Sequence, residues 1–243
     1  MNERDLNRMI DEREAVVEMA FPALMRKVYL WMTLALAITG FTAYLVANSF
    51  AFWSFMAEHS WMMIALVVAE LALVFTISAR INRLSLNTAT LLFGAYSVLN
   101  GLTLAPIFMA YTQTSITRVF FITAATFAVT AFIGYTTRRN LSSMGKILIM
   151  ALVGLIIASV VNIFLKSTGF ELILSYIGVL LFVGLTAWDA QKIKIMLAEC
   201  EAPDEEAHKI ALLGSLSLYL DFVNLFIYLL RIFGNREEKC NYS

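Results

Sequence analysis

The chain has 243 residues, 60% of them hydrophobic and only 15% charged, with a formal net charge of zero. Soluble domains are nearer half apolar and a quarter charged, so the composition points to a membrane protein. The balanced charge gives no sign of a nucleic-acid partner or an acidic substrate. Two cysteines, Cys200 and Cys240, have no CxxC spacing, and His59 and His208 are the chain's two histidines. That set does not make a zinc site, so the thiols read as free and structural and no cofactor is expected.

Residues 1–27 begin with "MNERDLNRMIDEREAVVEMA", which lacks the apolar core of a secretory signal. They read as a cytosolic amphipathic or disordered segment at the membrane surface. Residues 28–235 then hold seven stretches long and apolar enough to cross a bilayer as helices. In order these are Val28–Ala47, Ser60–Ala79 with Glu70 inside it, Ala89–Tyr111 with Pro106 near its end, Val119–Tyr135, Ile147–Leu165, Leu172–Asp189 and Leu212–Phe233. The sixth ends in "GLTAWDAQKIK" and continues as a helix before turning at Pro203; the seventh carries Asp221. Residues 236–243 form a short polar tail. The expectation is an all-α polytopic membrane protein with no soluble domain between its spans.

Lysine and arginine set the orientation. With the N-terminus cytosolic, that side holds thirteen: Arg4, Arg8, Arg13, Arg26, Lys27, Arg80, Arg83, Arg138, Arg139, Lys146, Lys192, Lys194 and Lys209. The other side holds five: Arg118, Lys166, Arg231, Arg236 and Lys239. Seven crossings then put the C-terminus outside. A seventh helix that re-entered without crossing would return it to the cytosol.

Five charged residues lie within or at the edges of the spans: Glu70, Arg80, Asp189, Asp221 and Arg231. Each ionised group at a helix centre costs at least about 2.5 kcal/mol on insertion scales, so it must pair, face water or be protonated. Depth along the helices pairs Asp189 with Arg80 at the inner end and Glu70 with Arg231 in the outer half. Asp221 then has no cation, and its cheapest partner is Asp189, with one proton shared across neighbouring antiparallel helices. Two carboxylates at one site cannot both ionise cheaply, and such a pair titrates as a unit. Asn224, at i+3 from Asp221, is a candidate support for that pocket; it, Asn100 and Asn162 also read as interhelical glue. Asp189 as a helix-end cap, and Arg80 and Arg231 as snorkelling cations, are the plainer readings. Trp31, Trp53, Trp61 and Trp188 read as interfacial anchors.

"SLYLDFVNLFIYLLRIFG" resembles the last transmembrane segment of the Bax inhibitor-1 family, also called the transmembrane Bax inhibitor motif family. "WDAQKIK" matches the end of that family's sixth helix, and "AELALVFTISAR" is similar to its second. The resemblance covers the chain beyond its N-terminal segment. It implies seven transmembrane helices with one at the centre of the others, and a pH-sensitive calcium leak channel in the bacterial plasma membrane. The family's paired aspartates match Asp189 and Asp221, and its arginine latch matches Arg80. Its further acid and late arginine match Glu70 and Arg231. Trp188 stands where a tyrosine is usual, so the hydroxyl of that position is missing here. Calcium ions and the lipid bilayer are the expected partners; the sequence names no protein partner.

Two carboxylates offer at most four oxygens, whereas calcium takes six to eight. Water or carbonyl groups must complete the shell, which suits passage better than storage. Three other readings compete. One is an intramembrane aspartyl protease, although "LYL" before Asp221 replaces the glycines of a GxGD motif. The second is a non-conducting interaction protein acting on cell survival through partners. The third is a proton-coupled exchanger.

Overall fold

The computed structural model describes residues 3–59, 61–200, 202 and 204–235, with side chains from residue 21 onward. Eight α-helices follow in order: α1 (Glu3–Ala47), α2 (Phe50–Glu58), α3 (Met62–Arg80), α4 (Leu86–Ala110), α5 (Gln113–Thr136), α6 (Ser142–Leu165), α7 (Thr168–Ala198) and α8 (Glu205–Phe233). A 3₁₀ turn, Ile81–Arg83, joins α3 to the loop before α4. All helices but α2 are long and apolar enough to span a membrane. The protein is therefore an all-α polytopic membrane protein, since helices satisfy their own backbone groups where water is absent.

The helix starts follow capping chemistry. Ser49, Ser85, Thr112, Ser167 and Asp204 each accept a hydrogen bond from a backbone N–H in the first turn that follows. The observed helices overrun the expected spans at most ends. Val28 does not start a helix: α1 runs from Glu3 through Pro22, Arg26 and Lys27 without a break. The α7 helix continues nine residues past Asp189, as the sequence suggested; Pro203 and the tail 236–243 lie outside the described residues. Helix α2 was not anticipated. Nine residues are too short to cross, but Ser49 caps them, and Phe50 and Phe55 lie exposed on their surface.

The spans differ in burial. Of α8's apolar stretch, 67% is buried, against 6% for α3 and for α6. Helices α1, α4, α5 and α7 all pack against α8, while α3 packs on α4 and α6 on α7. The core accordingly follows α8, through Leu212, Leu218, Tyr219, Leu225 and Leu230, none of which is appreciably exposed. The faces left open on α3 and α6, such as Phe75, Ile157 and Phe164, are those a lipid environment covers.

A polar collar ties the Arg26 end of the bundle together. Gln191, buried on α7, accepts a 2.8 Å hydrogen bond from the Leu141 N–H and donates to the Arg139 carbonyl at 2.8 Å. It thereby holds the α5–α6 turn. Lys194 donates to the Tyr135 carbonyl at 2.9 Å and lies over the Tyr135 ring. The Glu205 carboxylate accepts from the Leu86 N–H and pairs with Lys209 at 3.0 Å. The Lys27 ammonium meets His208 Nε2 at 2.6 Å, joining α1 to α8.

Candidate functional site

Asp221 sits sixteen residues into α8, about 24 Å along its axis, and is 4% exposed. Its Oδ2 atom is buried without a hydrogen-bond partner among the described residues. Buried polar atoms are nearly always paired, and exceptions call for an explanation such as a proton, an ion or a water. The charged group acting on Asp221 is Asp189 of α7, itself half-buried, with Lys192 one turn further along.

The packing of α7 on α8 places the two carboxylates. The Tyr228 ring covers Gly178, and Ile193 covers Gly214, which sets the antiparallel register. In that register Asp189 and Asp221 are staggered by about one turn, roughly 5 Å along the axis. Close approaches on the other sides hold the Asp189 segment. A Cβ on Gly134 of α5 would collide with the Ala187 carbonyl, and one on Gly145 of α6 with the Trp188 indole. Glycine at both positions lets α5 and α6 close on the two residues before Asp189. Trp188 thus packs into the helix interface, with Lys192 over its ring at 5.1 Å, rather than standing at a membrane surface.

The remaining predicted residues fall elsewhere. Arg80, at the end of α3, is exposed and forms no ion pair with either aspartate among the described residues. The expected Asp189–Arg80 pairing is therefore not made in this structure. The Glu70–Arg231 pairing is not made either. Arg231 reaches Glu171 of α7 at 3.8 Å and lies over the Tyr228 ring, because α8 neighbours α7 and not α3 at that end. Glu70 instead accepts a 2.7 Å hydrogen bond from the Thr103 hydroxyl, with the Asn100 side chain also in hydrogen-bonding reach. Asn224 donates to the Leu220 carbonyl of its own helix at 2.8 Å and so turns its amide to the backbone.

Sequence reasoning missed a second polar assembly beside Asp221. Tyr219, fully buried, donates to Asn100 Oδ1 at 3.0 Å and meets the Thr39 hydroxyl at 2.6 Å. Thr39 in turn donates to the Ser97 carbonyl at 2.9 Å. With Thr103 and Glu70, this makes a chain of hydrogen bonds through α3, α4, α8 and α1. Nearer the Lys27 end, Ser215 bonds the Val28 carbonyl at 2.9 Å. The signal available was the isolated polar residue in an apolar span: Thr39, Ser97 and Tyr219 each stand among hydrophobic neighbours.

Residues 22–238 match the family described as "Inhibitor of apoptosis-promoting Bax1". The chain belongs to the Bax inhibitor-1 family. It is 48% identical over 214 residues to the inner membrane protein YbhL of Escherichia coli K12, covering 88% of this chain and 92% of that one. It is also 42% identical over 228 residues to an uncharacterized protein of Borreliella burgdorferi, covering 94% and 97%. A third relative, the uncharacterized protein RP147 of Rickettsia prowazekii, is 41% identical over 214 residues, covering 88% and 90%. The family match runs from residue 22 to residue 238 and so covers positions 189 and 221. Among the described residues no cluster of three or more His, Cys, Asp or Glu side chains forms a metal site. The aspartate pair therefore has, among the described residues, no third carboxylate, histidine or cysteine completing a metal-binding group.

Proposed function

We propose that this Bax inhibitor-1 family protein is a pH-sensitive calcium leak channel of the bacterial inner membrane, with its N-terminus cytosolic. The observation that carries this reading is the buried Asp221 Oδ2, which has no donor among the described residues and lies by a second carboxylate across the α7–α8 interface. A proton shared by Asp189 and Asp221 satisfies that atom and ties the two helices together. Without it, two anionic carboxylates brought to about 5 Å would repel by roughly 3 kcal/mol at an effective dielectric near 20. That shifts a two-state helix equilibrium by roughly two orders of magnitude. Acid therefore favours the tied, closed arrangement and also removes the charge that attracts calcium. Calcium is the passing ion: two carboxylates plus water give a weak, incomplete shell from which it can leave.

Arg80 is the latch in this proposal. Its approach to the anionic pair stabilises the charged state, and its exposed position here is the withdrawn one. Calcium efflux from liposomes holding only the purified protein, measured against pH, tests the function. Flux that rises from acid to neutral pH supports a leak. No flux at any pH would leave a scaffold role, and saturable uptake driven by a proton gradient would make it an exchanger. Arg80→Ala should shift the pH midpoint while keeping the response. Labelling single cysteines in a cysteine-free background tests orientation: outside-only labelling at position 8 would overturn it.

A further inference from the structure

Helices α1 and α5 both pack on α8, but they are not packed on one another. Between them runs an apolar groove of about 950 Å³, continued toward the other membrane face by a second hollow of about 340 Å³. The first part runs from Pro22 to Gly40 on α1 and from Tyr135 to Phe120 on α5. That stretch of α1 corresponds to about 27 Å, more than one leaflet's share of a roughly 30 Å hydrocarbon core. Phe222 of α8 forms the floor, edge-on to Phe120 at 5.6 Å and Phe127 at 5.5 Å.

The lining selects the occupant. Small residues on both walls, Ala37, Gly40, Ala124 and Ala128, leave room for hydrocarbon chains to lie along the groove. The polar groups gather at one end: the Arg26 guanidinium, with the Tyr29 and Tyr135 phenols that face one another there. Arginine beside hydroxyl donors is the chemistry that holds a phosphate, and basic pockets between transmembrane helices hold anionic lipid headgroups.

We propose that the α1–α5 groove is a binding site for an anionic phospholipid of the leaflet on the Arg26 side. The phosphate lies beside Arg26, Tyr29 and Tyr135, and the acyl chains lie along the groove against Phe222. Phe222 adjoins Asp221 in sequence, so the bound chains press on the helix turn that carries the buried carboxylate. The site does not depend on Asp221 acting as a proton sensor.

Photoactivatable phosphatidylglycerol and phosphatidylcholine, each with a diazirine in the tail, test this on the full chain in nanodiscs containing both lipids. The expected adducts fall on α1 near Met32–Gly40 and on α5 near Phe120–Phe132, with phosphatidylglycerol favoured several-fold. A Cβ at Gly40 meets nothing within 4 Å, so Gly40→Leu fills the groove without displacing protein atoms. It should cut groove adducts at least five-fold while those on the exposed face of α6, at Ile156 and Phe164, stay constant. Ala128→Leu repeats the block from the opposite wall. Arg26→Gln should abolish the preference for phosphatidylglycerol but keep tail labelling. Equal labelling of α6 and the groove, unmoved by Gly40→Leu, would mean surface lipid only and overturn the site. An unlabelled groove with disulfide dimers through Gly40→Cys would mean a second copy fills it, which also overturns the proposal. A lipid preference untouched by Arg26→Gln would overturn the headgroup assignment.

Discussion

Two of the acids in the spans, Glu70 and Asp221, are treated by the structure in opposite ways. Glu70 receives the Thr103 hydroxyl and has Asn100 beside it, and the chain continues through Tyr219 and Thr39 to the Ser97 carbonyl. Asp221, two residues from Tyr219, keeps one oxygen without any donor among the described residues. A satisfied buried network rigidifies the packing around it, while a partly satisfied one is a place of high energetic stakes. In the proposed channel this contrast divides the work, with the Glu70 assembly holding and the Asp189–Asp221 interface switching, although Tyr219 and Asp221 share one turn of α8.

The strongest way to break this contrast is at Asp221. Asp221→Asn keeps the side chain's size and supplies an amide N–H that can meet Asp189, so the protein should fold normally. Calcium flux should then lose most of its dependence on pH, as it should in Asp189→Asn. A wild-type pH response in folded Asp221→Asn would remove this carboxylate as the sensor.

Tyr219→Phe is the reciprocal test. It removes a donor from Asn100 and a partner from Thr39 in a fully buried setting. Left-over polar groups of this kind cost about 1–3 kcal/mol, which thermal unfolding in detergent should register. The pH midpoint of calcium flux should stay put. A moved midpoint with unchanged stability would mean that the two regions act as one.

The Arg231 pairing sharpens the picture with a smaller effect. Arg231 and Glu171 are 3.8 Å apart and both partly exposed, so their coupling should be under about 1 kcal/mol. A double-mutant cycle on Glu171→Gln and Arg231→Gln should show that small coupling. The same cycle on Glu70→Gln and Arg231→Gln should be additive, because those side chains have different partners.

The smallest effect is expected at Cys200, between α7 and α8. Burial, helped by Asp204, Glu206 and Glu199, pushes its thiol pKa up, and the thiol donates to the Met196 carbonyl. The raised value keeps Cys200 protonated, hence unreactive, until the pH climbs past the ordinary thiol range. Alkylation with a maleimide should be slower at neutral pH than for an exposed model thiol and should accelerate as pH rises. Cys200→Ser should leave calcium flux unchanged; fast labelling at neutral pH would contradict this placement.

The sequence alone determined the membrane class, the number of spans and the residues that carry charge into them. Those properties are local: about twenty apolar residues need a bilayer, and a carboxylate among them stands out whatever surrounds it. It also marked the Asp189 and Asp221 segments, through "WDAQKIK" and "SLYLDFVNLFIYLLRIFG". Partners were another matter, because pairing by depth says nothing about which helices are neighbours or which faces they turn to each other. Arg231 and Glu70 lie on α8 and α3, yet α8 packs beside α7 and α3 beside α4, so each met a different residue. Only the tertiary structure brought Thr39, Asn100 and Tyr219 together from three helices, set Gly134 and Gly145 against the turn before Asp189, and left α1 and α5 apart over Phe222. Side-chain contacts depend on helix rotation and on the interlocking of ridges and small residues, which belong to the assembled bundle and not to any one of its spans.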